Sequence, residues 1–353
     1  MFTYMVALNT NLINFDSKHS GKIVGFLNAF FAGSPSIYSV IYYNGFTHGD
    51  ITDTSNQDFP GFMIMLAISF AVADILCIIF LRIYDNGEIT YVNLNDDVSH
   101  YIPNIKNADE SSIADDEETR HLIQKNAGRS SSNRDDLQAN VSDNRKMTIK
   151  EILKDYNYHL LVYSFAFASV IGLVFANNTT LISKSVHLNS HDNVLTIIIP
   201  VTNAILSAGV GLFSDFFKAK ISRMWIVVFG CLAFTGAQVL LYLQADSFIA
   251  LVFVTVLVGA GIAIIWSICP TIMKEMYNVG NFGRNWGMCI LVAALLGAGL
   301  QAVFGALYDS KASGDHQCYG MSCIRGGAAM LIASGGLSVV FGLILQFIRR
   351  VRR

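Results

Sequence analysis

Apolar residues run through this chain in eight long stretches, at roughly 22–43, 61–82, 159–182, 193–214, 224–243, 247–270, 285–308 and 325–348, with almost no charge inside them. A surface helix of a soluble protein needs a polar face, and these stretches have none. About 20 consecutive apolar residues cross a bilayer as a helix, which satisfies its own backbone hydrogen bonds. Each stretch is therefore expected to be a transmembrane helix, and the fold class to be all-α integral membrane. A ninth apolar stretch, Met1–Phe15, is too short to cross. Without the basic start and small-residue cleavage site of a signal peptide, it reads as the tail of a helix whose beginning is absent.

Composition sharpens this picture. Of 353 residues, 53% are hydrophobic and 14% charged, against a soluble share of about 25% charged. Residues 86–150 hold 12 acidic and 8 basic residues, with Ser130–Ser132 and few aromatics. That composition cannot bury a core and is expected to be a disordered linker. Its runs Asp115–Glu118 and Arg129–Asp136 read as solvated charge, with phosphorylation or partner docking as the alternative.

Lys and Arg collect on the cytoplasmic side of membrane proteins. Taking alternate connections, one side receives 21 of these residues and the other only Lys184, Lys311 and Arg325. The C-terminus and the 86–150 linker are therefore expected in the cytoplasm. With Lys18 on that side, Met1 would begin in mid-membrane, so the chain is expected to lack its first three helices. The expected plan is six helices plus six. Residues 1–85 are then a remnant of the first bundle (the end of helix four, helices five and six), and residues 151–353 a complete second bundle. Paired helical bundles that move about a midplane site are a common transporter architecture.

Four stretches resemble the nodulin-like branch of the major facilitator superfamily, in order, over nearly the whole chain apart from the linker. Gly21-Lys-Ile-Val-Gly25 with Gly33-Ser34 is similar to its G-x-V-x-G opening of helix five. Gly172-Leu173 with Asn177-Asn178 is similar to a helix-seven pattern. Glu275-Met-Tyr277 with Phe282-Gly283 resembles the E-x-[FY] and F-G connection between helices ten and eleven. Tyr308-Asp309 with Cys318-Tyr-Gly-Met-Ser-Cys323 resembles a Y-D and C-x-G-x-x-C loop. Gly211-Leu-Phe-Ser-Asp215 with Lys218 and Lys220 looks like the superfamily's G-x-x-x-D loop followed by basic residues. The resemblance implies a major facilitator fold that moves a small solute. Ser207 stands where relatives often carry Arg, which argues against carrying over an anionic substrate.

Physical roles can be read beside the resemblance. Gly211 permits close helix approach, and Asp215 can bond helix-end N–H groups or pair with a cation; an ordinary capping Asp is the alternative. Ionisable residues inside spans mark pathways or internal pairs. Asp74 is thus a candidate for a coupling proton or a cationic substrate group, and it is expected to point between the bundles. Its alternative is a structural acceptor for a neighbouring helix. Asn177, Asn178, Asn203, Ser207 and Gln301 are candidate hydrogen-bonding pathway residues, or else contacts between helices worth about 0.6 kcal/mol each. Gln238 and the Trp266–Pro270 region are weaker candidates.

Cys77, Cys231, Cys269 and Cys289 lie in spans and read as small hydrophobes. Cys318 and Cys323 share a loop expected outside the cytoplasm, where a disulfide is favoured over a metal pair completed by His316. No GxxxxGK[ST], HExxH or GxSxG motif occurs, so no enzyme, ATP-driven pump, cofactor or metal is expected. The expected partners are a small-molecule solute, a coupling proton and the lipid bilayer, with no nucleic acid. The competing function is a non-transporting sensor or scaffold that signals through residues 86–150; a non-functional truncated transporter is a further alternative.

Overall fold

A computed structural model describes residues 2–15, 17–47, 57–83, 148–188, 192–277, 279–312 and 318–351. Residues 1–83 and 147–353 fall in one unit. The expected linker, with its charged runs, lies outside the described residues apart from Thr148–Lys150, and His316 lies outside them too.

The described chain is helical: α1 Phe2–Asn14, α2 Ser20–Gly45, α3 Phe59–Phe80, α4 Ile149–Ile152, α5 Tyr156–Ser185, α6 Asp192–Phe216, α7 Arg223–Gln244, α8 Phe248–Met276, α9 Phe282–Asp309 and α10 Met321–Val351. Eight of these are long and apolar enough to span a bilayer, namely α2, α3 and α5 to α10. They coincide with the eight apolar stretches. The largest difference is at α8, which continues to Met276 because its polar last turn, Lys274 and Glu275, has partners there.

Helix starts are set by side chains that satisfy orphan N–H groups. Asp155 accepts from Asn157 N at α5, Ser222 from Met224 N at α7, and Ser247 from Ala250 N at α8. Thr148 and Glu151 cap α4 reciprocally. The core centres on α5, whose apolar residues are buried over most of its length. Phe165 of α5 meets Trp286 of α9 at 4.8 Å and Trp266 of α8 at 5.3 Å between ring centroids. These offset aromatic contacts anchor three helices to one another.

By contrast, α3 buries none of its residues. A helix apolar on every side belongs against lipid or other helices. Between these extremes, α2 lies along α6 and α8, with Gly21, Gly25 and Gly211 at the crossing. A Cβ at Gly25 would stand 2.5 Å from Ser207 O, and one at Gly211 would stand 2.4 Å from Gly21 O. The two backbones touch because these positions lack side chains.

Candidate functional site

The α2–α6 crossing ends in a buried ionic cluster. Asp215, in the last turn of α6, accepts from Gly21 N at 3.0 Å and Lys22 N at 2.8 Å. It thereby satisfies two orphan N–H groups and sits at the positive end of the α2 dipole. The same carboxylate pairs with the guanidinium of Arg223, which also pairs with Glu275 at the end of α8. Arg223 Nε donates to Ser214 Oγ at 2.8 Å, and Lys218 joins Glu275 at 2.7 Å. Arg223 is the first residue of α7, where the helix dipole disfavours a cation. Two carboxylates and a hydroxyl around its buried fork offset that cost. The Lys218 pair is partly exposed and adds little, whereas Asp215 and Arg223 are both almost fully buried.

The last turn of α8 makes two further ties. Lys274 Nζ donates to Leu12 O at 2.7 Å and Phe15 O at 3.4 Å, capping the end of α1. Tyr277 Oη donates to Asp155 Oδ2 at 2.6 Å, which binds the end of α8 to the cap of α5. Burial, and then the bond to Asp155, pushes the Tyr277 phenol well above its ordinary range. Glu275 and Tyr277 of the E-x-[FY] stretch thus act on different neighbours.

Deeper in the bundle, uncharged polar groups from three helices meet. Asn28 of α2 donates to Ser207 Oγ of α6 at 2.7 Å and approaches Ser267 Oγ of α8 at 3.4 Å. Ser207 in turn donates to Asn203 Oδ1 at 3.0 Å. Asn28, Ser207 and Ser267 are essentially inaccessible. A second pair joins α5 to α9, where Asn178 Nδ2 donates to Gln301 Oε1 at 3.0 Å and also to Val174 O at 2.7 Å.

The sequence-predicted residues therefore separate. Asn203 joins Ser207, Asn178 joins Gln301, and Gly211, Asp215 and Lys218 lie at the ionic cluster. Asn177 is exposed on α5. Asp74 is exposed on α3, where Thr3 Oγ1 of α1 donates to its Oδ1 at 2.7 Å. That places it against α1, and not in either amide cluster among the described residues. Gln238 is fully buried in α7, and neither its oxygen nor its nitrogen has a hydrogen-bond partner among the described residues. Asn28 and Arg223 escaped the sequence reading, whereas Ser267 lies within its Trp266–Pro270 region. Asn28 alone carried a signal, as an amide inside an apolar span.

At the opposite end, Cys318 and Cys323 form a disulfide with their Cα atoms 5.8 Å apart. Tyr308 Oη donates to Cys318 O and accepts from Cys318 N, both at 3.2 Å, and Gly320 N donates to Ser185 O at 2.7 Å. The Y-D and C-x-G-x-x-C stretches are therefore one tied loop over the ends of α5 and α9. Gly320 takes φ +98°, which favours glycine at that turn.

These observations define an all-α, multi-pass membrane protein whose helices meet through glycine crossings, buried amides and an ionic cluster at one end. The Major Facilitator Superfamily profile matches residues 3–299, and the chain belongs to that family. Among curated proteins, it is 24% identical over 217 residues to "Probable transporter MCH1" of Yarrowia lipolytica, covering 55% of this chain and 44% of that protein. It is 23% identical over 182 residues to the protein of the same description from Wickerhamomyces anomalus, covering 50% and 36%. It is also 37% identical over 73 residues to "Probable transporter mch1" of Emericella nidulans, covering 20% and 12%. The aligned stretches span less than half the length of each of these relatives.

Proposed function

We propose that the chain moves a small, uncharged polar solute across a membrane by alternating access, with residues 1–85 and 151–353 belonging to two bundles that rock against each other. The nodulin-like branch is the finer placement within the family, and the basic end is the cytoplasmic one. The observation that carries this reading is the Asn28–Ser207–Asn203 chain of bonds. It joins α2 to α6 across the linker through amides and hydroxyls alone, which a solute with donors and acceptors can replace one for one. No cation or carboxylate bonds to this cluster among the described residues, which disfavours a charged substrate. In this reading the structure is closed at the basic end, where Asp215 and Lys274 hold α2 and α1.

Uptake into proteoliposomes decides the matter. The reconstituted chain is offered a panel of labelled neutral polyols, amides and carboxylates. Saturable uptake of a neutral solute, lost in Asn28→Leu, is the expected result. Absence of flux for every solute would favour the other reading, a sensor or scaffold, with which the dense filling around Asn28 also agrees.

A further inference from the structure

Helices α5 and α9 run side by side in the same direction, held in register at three levels. A Cβ at Gly297 would stand 2.8 Å from the Leu173 side chain. Further along, Asn178 meets Gln301 at 3.0 Å and Ser185 meets Tyr308 at 3.3 Å, each pair separated by 123 residues. The bonds of the middle level settle which way its amides point. Asn178 Nδ2 lies 2.7 Å from Val174 O and 3.0 Å from Gln301 Oε1. A backbone carbonyl only accepts, so the atom facing it is the amide nitrogen, and the Gln301 atom that this nitrogen meets is the oxygen. Both N–H bonds of Asn178 are thereby used. Left over on the two adjoining amides are one acceptor, Asn178 Oδ1, and one donor, Gln301 Nε2. Neither has a hydrogen-bond partner among the described residues.

The packing around this pair is one-sided. Gly297, a turn before Gln301, is closed off by Leu173, whereas a Cβ at Gly305, a turn after it, would meet no described atom within 4 Å. Ala298 is exposed on the same flank of α9, and Asn177 is exposed on α5 next to Asn178. Small residues leave the half-buried Gln301 open to a solute from that side, although Asn178 itself is only 8% exposed.

We propose that this edge binds the neutral carboxamide group of a solute, whose N–H is given to Asn178 Oδ1 and whose C=O accepts from Gln301 Nε2. The proposal rests on the transport reading above and names the solute class within it. A carboxylate offers acceptors only and would set an oxygen against Asn178 Oδ1. An ammonium offers donors only and would set a cation against the Gln301 N–H groups. A hydroxyl takes either role at either atom, so it is bound without being selected. A carboxamide alone among these has fixed roles that match both atoms, and fixed roles are what allow a site to reject analogues.

The test measures binding to the purified full chain by ligand-observed NMR, which requires no flux. Propionamide, propionate and propylammonium are probes of nearly equal size, and glycerol is the polyol. Each ion leaves a polar group of the site unpaired, so propionamide should bind about tenfold more tightly than either. Gln301→Glu keeps the oxygen to which Asn178 donates and replaces the Nε2 donor by an acceptor. It should weaken propionamide about tenfold and bring propylammonium above it, a reversal that misfolding does not produce. In the unaltered chain, a diazirine-bearing propionamide should label the peptides holding Asn177 or residues 298–305. Equal binding of the amide and the ions, an unchanged preference in Gln301→Glu, labelling confined to other helices, or glycerol bound as tightly as propionamide would each overturn the proposal. Propionamide bound by the chain but not carried into proteoliposomes would sink the transport reading alone. Saturable polyol flux with no preference for the amide would sink this assignment alone.

Discussion

A methyl group at Gly25 would stand 2.5 Å from Ser207 O and 2.9 Å from Gly211 Cα. Neither atom is the free end of a flexible side chain, so Gly25→Ala must push α2 off α6. Overpacking of this kind costs about 1–3 kcal/mol. The purified variant is expected to melt several degrees lower, whereas Gly33→Ala, whose nearest contact is 3.5 Å away, should melt near the parent chain. Indistinguishable melting of the two would mean that the crossing can relax. Asp74 poses a different question, because a carboxylate at membrane depth costs about 2.5–3.5 kcal/mol unless protein or water surrounds it. Its bond from Thr3 needs only an acceptor, which Asn also supplies. Asp74→Asn is therefore expected to insert and fold and, on the reading of Asp74 as the site of a coupling proton, to lose accumulation while keeping exchange. Full accumulation would leave Asp74 a structural acceptor for α1. The spacing of Gly21, Gly25, Gly211 and Asp215 made these four legible in the sequence. Asn28 was not, because its partners Ser207 and Ser267 lie 179 and 239 residues along the chain.

Whole helices were easier to read than the bonds between them. Hydropathy is a local property, so each span announces itself, and only polar ends such as Lys274-Glu275 at α8 were missed. Whether those two residues continue a helix depends on Leu12, Phe15 and Arg223, which no window around them contains. The joint between α8 and α5 has a measurable consequence through Tyr277. Burial disfavours its phenolate, so its pKa is raised above the ordinary 10.0. Above that ordinary value the unfolded chain releases this proton and the folded chain keeps it. The stability this group contributes is then fully present below that value and is lost as pH rises above it. Tyr277→Phe should destabilise the protein by about 1.5–3 kcal/mol at neutral pH, because Asp155 Oδ2 loses the Tyr277 donor. The variant's melting temperature should also fall less steeply than the parent's above pH 10. Parallel decline in both proteins would show that the Tyr277 proton does not govern the joint.

At the scale of the molecule, the decisive fact is which bonds cross between residues 1–85 and 151–353. The Asp215–Arg223–Glu275 ion pairs lie wholly within the second segment, so they survive if α1 and α2 swing away. Among the described residues, what must break are the bonds from Gly21 and Lys22 to Asp215, from Lys274 to Leu12 and Phe15, and from Asn28 to Ser207 and Ser267. These bonds among the described residues are reversible and lie along a glycine-lined seam, which suits the proposed two-state motion. Asp215→Asn removes the charge that assists two of them and leaves one amide oxygen for both N–H groups. The loss is about 2 kcal/mol, or roughly thirtyfold in the opening equilibrium. Asn28→Cys reports that opening, because Asn28 is only 2% exposed in the closed arrangement. In a chain whose free thiols Cys77, Cys231, Cys269 and Cys289 are replaced by Ser, a water-soluble maleimide should label Cys at position 28 slowly. Adding Asp215→Asn should speed that labelling by at least tenfold. A cysteine in place of Ser164, buried in α5, should stay unlabelled in both backgrounds, which separates opening of the seam from unfolding of the bundle. An unchanged rate at position 28 would mean that Asp215 is not the latch and that α2 and α6 do not part along this crossing.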